Sequence, residues 1–461
     1  MKIAGMIALI LSLMVSICGC AGVDGQIEET PALRDTELSP PPAAEQQKEA
    51  EEKEEPELTA ENNPAASEEE KPKEPEVTAE ENTDSQPESE PEPEPVAEVI
   101  QGEIKMLISG KDTSVTLGDN NSSTYLYLYP EQTIIIESDT PFSAVYMNWC
   151  VDPGEYTVCW DGGSQLCGEN GFLQEYIRLP EAVTRAEIVP SVESYMGVTD
   201  ISILSAGSAP DGFHEWLPSC EEADILVFPT HSDDDVLFFG TLISYYSIER
   251  ELKVQTAFMV NHFYQQMRGI ERLNGLWEMG VRYYPFLYDA PDSATLSLGE
   301  AMAIYESYDI EQWQVEMIRR FRPLVVVGHD LMGEYGNGGH MVNAFYLVQA
   351  IEKAADPEAY PESAEVYGVW DSPKLYIHLY EENEILLDVE TPMENDPLHR
   401  TPFQVATDAF KHHQSQHQYG FSVQTGINRK YDCRPFGLYR TLVGEDTCAD
   451  IMDHIDPSQW R

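Results

Sequence analysis

Ala223-Asp224-Ile225-Leu226-Val227-Phe228-Pro229-Thr230-His231-Ser232-Asp233-Asp234-Asp235 is the stretch on which the reading of this chain turns. Its apolar run has the character of a buried strand, yet it stops at a histidine followed by three carboxylates, where ionisable groups have no packing reason to gather. In open α/β sheets ligands sit beyond the carboxyl ends of strands, so imidazole and carboxylates here stand at the mouth of a site. One histidine and one aspartate are two of the three protein ligands of a catalytic zinc, and a spare aspartate can serve as base. A solvated acidic turn is the bland alternative, and a third ligand is needed to displace it.

Outward from that stretch, strands alternate with helical patterns. Ile225 to Pro229 and Val254 to Val260 read as strands, Met267 to Val281 and Glu311 to Phe321 as helices. A second buried strand, Pro323 to His329, is followed by a helix from His340 to about Ala355, a strand from Lys374 to Tyr380 and a closing helix from Phe403 to Gln416. This alternation predicts an α/β domain over 216–461, a Rossmann-like parallel sheet with helices on both faces. The glycine-rich turn Asp330-Leu331-Met332-Gly333-Glu334-Tyr335-Gly336-Asn337-Gly338-Gly339 delivers His340 to the same sheet edge, as a candidate third ligand.

Before this region, segments between Gln101 and Ala206 alternate apolar and polar residues between turn signals and predict a β-sandwich module. The expected strands are Ser123 to Tyr129, Gln132 to Glu137, Ser143 to Cys150, Glu155 to Trp160, Phe172 to Leu179 and Asp200 to Leu204. Trp149, Trp160 and the tyrosines either fill its core or form a sugar-stacking platform, which would make the module glycan-binding. Residues 21–100 hold 26 acidic against 5 basic residues and almost no large apolar ones, so they are expected to be a disordered, self-repelling linker.

Residues 1–20 read as an export signal, one lysine followed by an apolar run too short to span a membrane. Its end, Ile17-Cys18-Gly19-Cys20, resembles a bacterial lipobox, which implies lipidation of Cys20 and an extracytoplasmic, membrane-anchored chain. Outside the cytoplasm cysteines can pair, and Cys433 with Cys448 is the expected bridge by proximity in sequence. The formal charge of -55 excludes nucleic-acid binding through phosphates.

Taken together, the motifs resemble the PIG-L (LmbE-like) family of zinc-dependent N-acetylglucosaminyl deacetylases. His231-Ser232-Asp233-Asp234 matches that family's His-Pro-Asp-Asp, with serine for proline. Arg268-Gly269-Ile270-Glu271 with Met279-Gly280-Val281, Asp289 after a short strand, and Tyr335-Gly336-Asn337-Gly338-Gly339-His340 follow in order. Ala409, His413, Ser415 and Gln416 complete a resemblance that covers about Ala223 to Gln416. It implies Zn2+ held by His231, Asp234 and His340, with Asp233 as general base, Tyr335 assisting at the tetrahedral intermediate, and His413 orienting the metal site. Arg268 and Asp289 would hold sugar hydroxyls. Asn337 stands where the family has a histidine, and an amide cannot relay a proton.

Among the remaining histidines, His329 reads as a turn residue, the alternatives being a supporting role behind a ligand and a stand-in for the family histidine that Asn337 replaces, and His262, His412 and His417 read as surface or core residues. The function these readings favour is removal of acetyl from an N-acetylhexosamine in an extracytoplasmic glycan or glycoconjugate, by a protein held to the membrane through its N-terminal lipid. The alternatives are a non-catalytic glycan-binding lipoprotein on the same fold and a deacylase of another amide.

Overall fold

The computed structural model describes residues 94–461 apart from 102–103, 192–195, 263–264 and 427. The expected signal, the lipidation site at Cys20 and the acidic tether up to residue 93 lie outside the described residues. The last stretch of that tether is paired rather than free: the Ala97 amide donates to the Ser208 carbonyl and the Ile100 amide to that of Ile203, both at 2.9 Å.

The first layer pair is built from β1 (Ile104–Ile108), β2 (Lys111–Asp112), β3 (Leu126–Leu128), β4 (Ile134–Trp149), β5 (Tyr156–Trp160), β6 (Gly163–Cys167), β7 (Gln174–Pro190) and β8 (Met196–Leu204). Where the sequence suggested two strands between Gln132 and Cys150, there is one. β4 bends at its polar middle, pairs through its first half with β1 and the end of β7, and through its second half with β8 and the start of β7. Each long strand therefore contributes to both layers, and one apolar core lies between them. Trp149 belongs to that core, fully buried with its ring 5.0 Å from Tyr156, so it is no platform.

The second sheet has seven strands: β9 (Ile225–Val227), β10 (Val254–Val260), β11 (Phe286–Ala290), β12 (Val325–Gly328), β13 (Lys374–His378), β14 (Glu384–Leu386) and β15 (Pro435–Thr441), in the order β11-β10-β9-β12-β13-β15-β14. The first five pair in parallel, as expected; β15 and β14 add an antiparallel edge from a segment that carried no strand expectation. Both faces are covered, which is why these strands read as continuous apolar runs. Ile225, Val227, Val325 and Val327 face α3 (Gly240–Ser244), α4 (Gln266–Glu278) and α9 (Pro402–Phe410). Leu226, Phe228 and Val326 face α6 (Ile310–Phe321) and α7 (Gly338–Ala354). The closing helix stops at Phe410 rather than Gln416, and a 3₁₀ turn, Gln414–Tyr419, follows it.

The strand order reverses between β9 and β12, where neighbouring carboxyl ends open a crevice. His231 follows one of these strands and His329 the other. The expected bridge between Cys433 and Cys448 is not formed: all six cysteines of the described residues are free, with Cys433 fully buried at the foot of β15 and Cys448 exposed.

Candidate metal centre

Three ligand atoms meet at the crevice. His231 Nδ1 lies 3.1 Å from Asp234 Oδ2 and 3.1 Å from His340 Nε2, and His340 Nε2 lies 3.1 Å from the same aspartate oxygen. The three residues are buried, and together they form one of two groups of such side chains close enough to hold a metal ion among the described residues. Two imidazole nitrogens and a carboxylate oxygen at near-equal spacing fit a tetrahedral ion, whose ligands at about 2.0–2.1 Å stand roughly 3.3 Å apart. Local structure produces the triangle. The turn after β9 closes when the His231 amide donates to Asp234 Oδ2 at 2.7 Å, and Asp234 opens the short helix α2 (Asp234–Leu237). Across the crevice, Asn337 caps α7, accepting from the amides of Gly339 at 2.8 Å and His340 at 3.2 Å, and so fixes His340 in the first turn.

Behind the triangle lies a second layer that sequence reasoning largely missed. Glu334, fully buried, accepts from His340 Nδ1 at 2.7 Å, His329 Nδ1 at 2.8 Å and His378 Nδ1 at 2.8 Å, and from the Asp330 amide at 3.1 Å. Since Glu334 takes the Nδ1 proton of His340, its Nε2 is left with a free lone pair facing Asp234. His329 accepts the Thr230 amide at 3.0 Å through Nε2, so it supports rather than replaces a ligand. Burial alone would raise Glu334, but the surrounding imidazoles, His329 foremost, hold it well below the usual carboxylate range. The glycine-rich turn is needed here: Gly333 has φ +67°, and a Cβ on it would come within 2.3 Å of the Asn337 carbonyl oxygen.

Asp233 stands beside the triangle, 6% exposed, with Oδ1 accepting from Arg268 at 2.8 Å. Burial raises its carboxyl to about 6, with the charge of Asp234 adding to the effect and Arg268 opposing it. Ser232, in the position of the family's proline, makes two bonds that proline cannot. Its amide donates to His262 Nε2 at 3.2 Å, and its hydroxyl accepts from Arg272 at 2.9 Å. His262, read as a surface or core residue, is buried and borders the site through this bond. It also faces Asp292, at 3.4 Å, and burial strongly lowers its basicity.

Tyr335 packs 5.6 Å from the His340 ring and stacks on Tyr431, and its hydroxyl accepts from the Asn337 amide at 3.3 Å. Asp289 is exposed and lines a hollow beside the site, whereas Asp292 reaches inward, to 3.6 Å from His231 Nε2 and 3.3 Å from Arg268. His413 does not reach the triangle. It is wedged against Gly275 of α4, stacked on Phe410, with both ring nitrogens unpartnered. The motif around it ties α4 down instead, since the Ser415 amide and hydroxyl both donate to Glu271, at 2.8 and 2.5 Å.

In sequence comparisons the chain is 38% identical over 82 residues to 1D-myo-inositol 2-acetamido-2-deoxy-alpha-D-glucopyranoside deacetylase 2 of Saccharopolyspora erythraea, a match covering 18% of this chain and 29% of that protein. It is 37% identical over 62 residues to deacetylase 1 of the same description from Frankia alni, covering 13% and 20%. These local matches are in keeping with the resemblance of the α/β region to the PIG-L (LmbE-like) family. The matched stretch spans less than a third of either curated relative. No family profile matches the chain. Among solved structures, the N,N'-diacetylchitobiose deacetylase of Pyrococcus horikoshii aligns with 42% of this chain and 71% of its own, at 15% identity and a TM-score of 0.32. Along the α/β region the site is supplied in chain order: the turn after β9 first, the helix with Arg268 next, the turn after β12 last.

Proposed function

We propose that this protein is a zinc-dependent hydrolase that removes acetyl from N-acetylglucosamine-type sugars in an extracytoplasmic glycan or glycoconjugate, held at the membrane through Cys20. The observation that carries the reading is the 3.1 Å triangle of His231, Asp234 and His340 with Asp233 alongside but outside it. Packing gives no reason to bury two carboxylates and two imidazoles together. The curated relatives act, by their names, on an acetamido sugar, and that class of substrate is carried here as part of the proposal.

His231, Asp234 and His340 would hold the ion, which when bound lowers the pKa of a water and polarises a carbonyl. Asp233 is placed to take the proton of the attacking water, and its raised carboxyl suits that exchange near neutral pH. Arg268 fixes the orientation of Asp233. Because Tyr335 Oη accepts from Asn337, its own proton is free to be donated to the oxygen of the tetrahedral intermediate. Asn337 itself is committed to capping α7, so return of a proton to the leaving amine falls to Asp233. Arg268 and Asp292 face the crevice as partners for sugar hydroxyls, with Asp289 further out.

The test is acetate release from N-acetylglucosamine oligomers by the zinc-loaded full-length chain, beside Asp233→Asn with metal content assayed in both. Release by the parent, reduced by a factor on the order of 10²–10⁴ in a variant that keeps its zinc, is the expected result. Zinc bound by both and acetate released by neither, across N-acetylated glycans, would overturn the proposal.

A further inference from the structure

The β module does not sit apart from the catalytic layers. Its Leu173 amide donates to the Tyr284 hydroxyl at 2.9 Å, its Gln174 amide donates to Asn274 of α4 at 2.8 Å, and the Phe172 and Tyr284 rings lie 4.6 Å apart. Leu173 presses so closely on α4 that a Cβ on Gly269 would stand 3.1 Å from it. Arg268 and Arg272, the residues on either side along this helix, are those that reach Asp233 and Ser232.

Where the two parts meet there is a cavity of about 510 Å³. One wall is made by two loops of the β module, with Asp152 and Asn170 at their tips, and the other by Asn261, His262, Phe286 and Arg320 of the α/β region. The loops are locked to one another. Gly171 lets Asp152 approach to within 2.8 Å of where its Cβ would be, and Gly168 does the same for the Gly154 carbonyl at 2.0 Å. Arg272 also lines the cavity, almost fully buried, and its Nε has no partner. Asn261 and His262 are shared with the adjoining hollow that contains Asp292, and Asp292 contacts His231. The two hollows thus adjoin at Asn261 and His262, and the second borders the triangle through Asp292.

We infer that these loops supply additional sugar-binding positions, so that the substrate is an oligosaccharide chain running from the metal centre into the cavity under the β module. This rests on the deacetylase reading and names its substrate class more narrowly. The lining suits carbohydrate: carboxylate, amide and guanidinium groups that pair with neighbouring hydroxyls, beside an aromatic ring, in a space sized for roughly two hexose units.

The experiment is calorimetric binding of the N-acetylglucosamine dimer and pentamer to the full-length chain and to Asn170→Ala and Asn170→Trp, with acetate release measured alongside. Asn170 is exposed, so neither change threatens folding. The parent should bind the pentamer about tenfold tighter than the dimer, Asn170→Ala should lower that preference several-fold, and Asn170→Trp, which fills the cavity, should abolish it. Equal affinities for both lengths in the parent, or a preference that survives Asn170→Trp, would overturn the inference even if acetate is released and the deacetylase reading stands. Length-dependent binding lost in Asn170→Trp, without acetate release, would uphold the oligosaccharide site and sink the catalytic reading.

Discussion

Glu334→Gln is the sharpest test of how the site is held. The glutamate's Oε2 takes both the His329 and the His340 protons, and its Oε1 takes those of His378 and the Asp330 amide. A glutamine has one oxygen. Whichever way its amide turns, an NH₂ group faces two donors, and two of the four bonds become donor against donor. If the amide faces His340, that ring escapes only by moving its proton to Nε2, the atom that completes the triangle. Loss of such supporting bonds typically weakens metal binding by about 10–100-fold, or about 1.4–2.7 kcal/mol. Stability falls as well: two bonds to a fully buried charge, at about 1.5–3 kcal/mol each, give about 3–6 kcal/mol. Zinc affinity would be measured by competition with a chromophoric chelator, and folding by denaturant titration of the zinc-free protein. A folded variant that binds zinc within threefold of the parent would refute the argument that Glu334 sets the protonation of His340.

Three further outcomes follow from contacts already described. Ser232→Pro installs the family's residue but removes a hydrogen bond from each of His262 and Arg272, so it should cost about 1–3 kcal/mol in chemical denaturation; a neutral or stabilising change would show those bonds to be idle. His214 and His413 are both lowered to about 3, by burial first and then by nearby arginines, so the folded state stays neutral where the unfolded chain takes up protons below its ordinary pKa near 6.5. Their stabilising contribution is complete above about pH 6.5 and is lost as pH falls toward 3, at about 1.4 kcal/mol per pH unit for each group, and His413→Phe should flatten the slope between pH 6 and 4 by about one proton. An unchanged slope would show that His413 is charged in the folded protein. Cys20→Ser should move the protein from the membrane to the soluble fraction of its producing cell, and an unchanged membrane share would exclude lipid at that residue.

The ends of the two buried strands were legible because a polarity step there is abrupt: Phe228 to His231, Gly328 to His329 and the helix start at His340 each stand out in sequence. The residues behind them were not. Glu334 sits in a glycine-rich turn that reads as solvated, and its role exists only because three histidines far apart in the chain converge on it. His378 does carry the same signal as His231, an imidazole closing an apolar strand, and could have been found by it. His262 and Asp292 follow their strands by a few loop residues, where sequence gives no direction for a side chain. β14 and β15 were missed because antiparallel edge strands draw on distant partners, and β4 was cut in two because its polar bend looks like a turn. Asn337 looked like a lost catalytic group; as a helix cap, it holds a position that asparagine fills well.

The missing side chain of Gly269 has a consequence for descent. Leu173 leans into the place where a larger residue would stand, so one face of α4 is shaped by the β module while the arginines beside it serve the crevice. A gene that lost the module would leave Phe172 and Leu173 out of the core they join and uncover apolar surface on Tyr284 and α4. Exchanging the module for another would therefore disturb the helix that carries Arg268 and Arg272, and through it the crevice, rather than merely change what the chain is attached to.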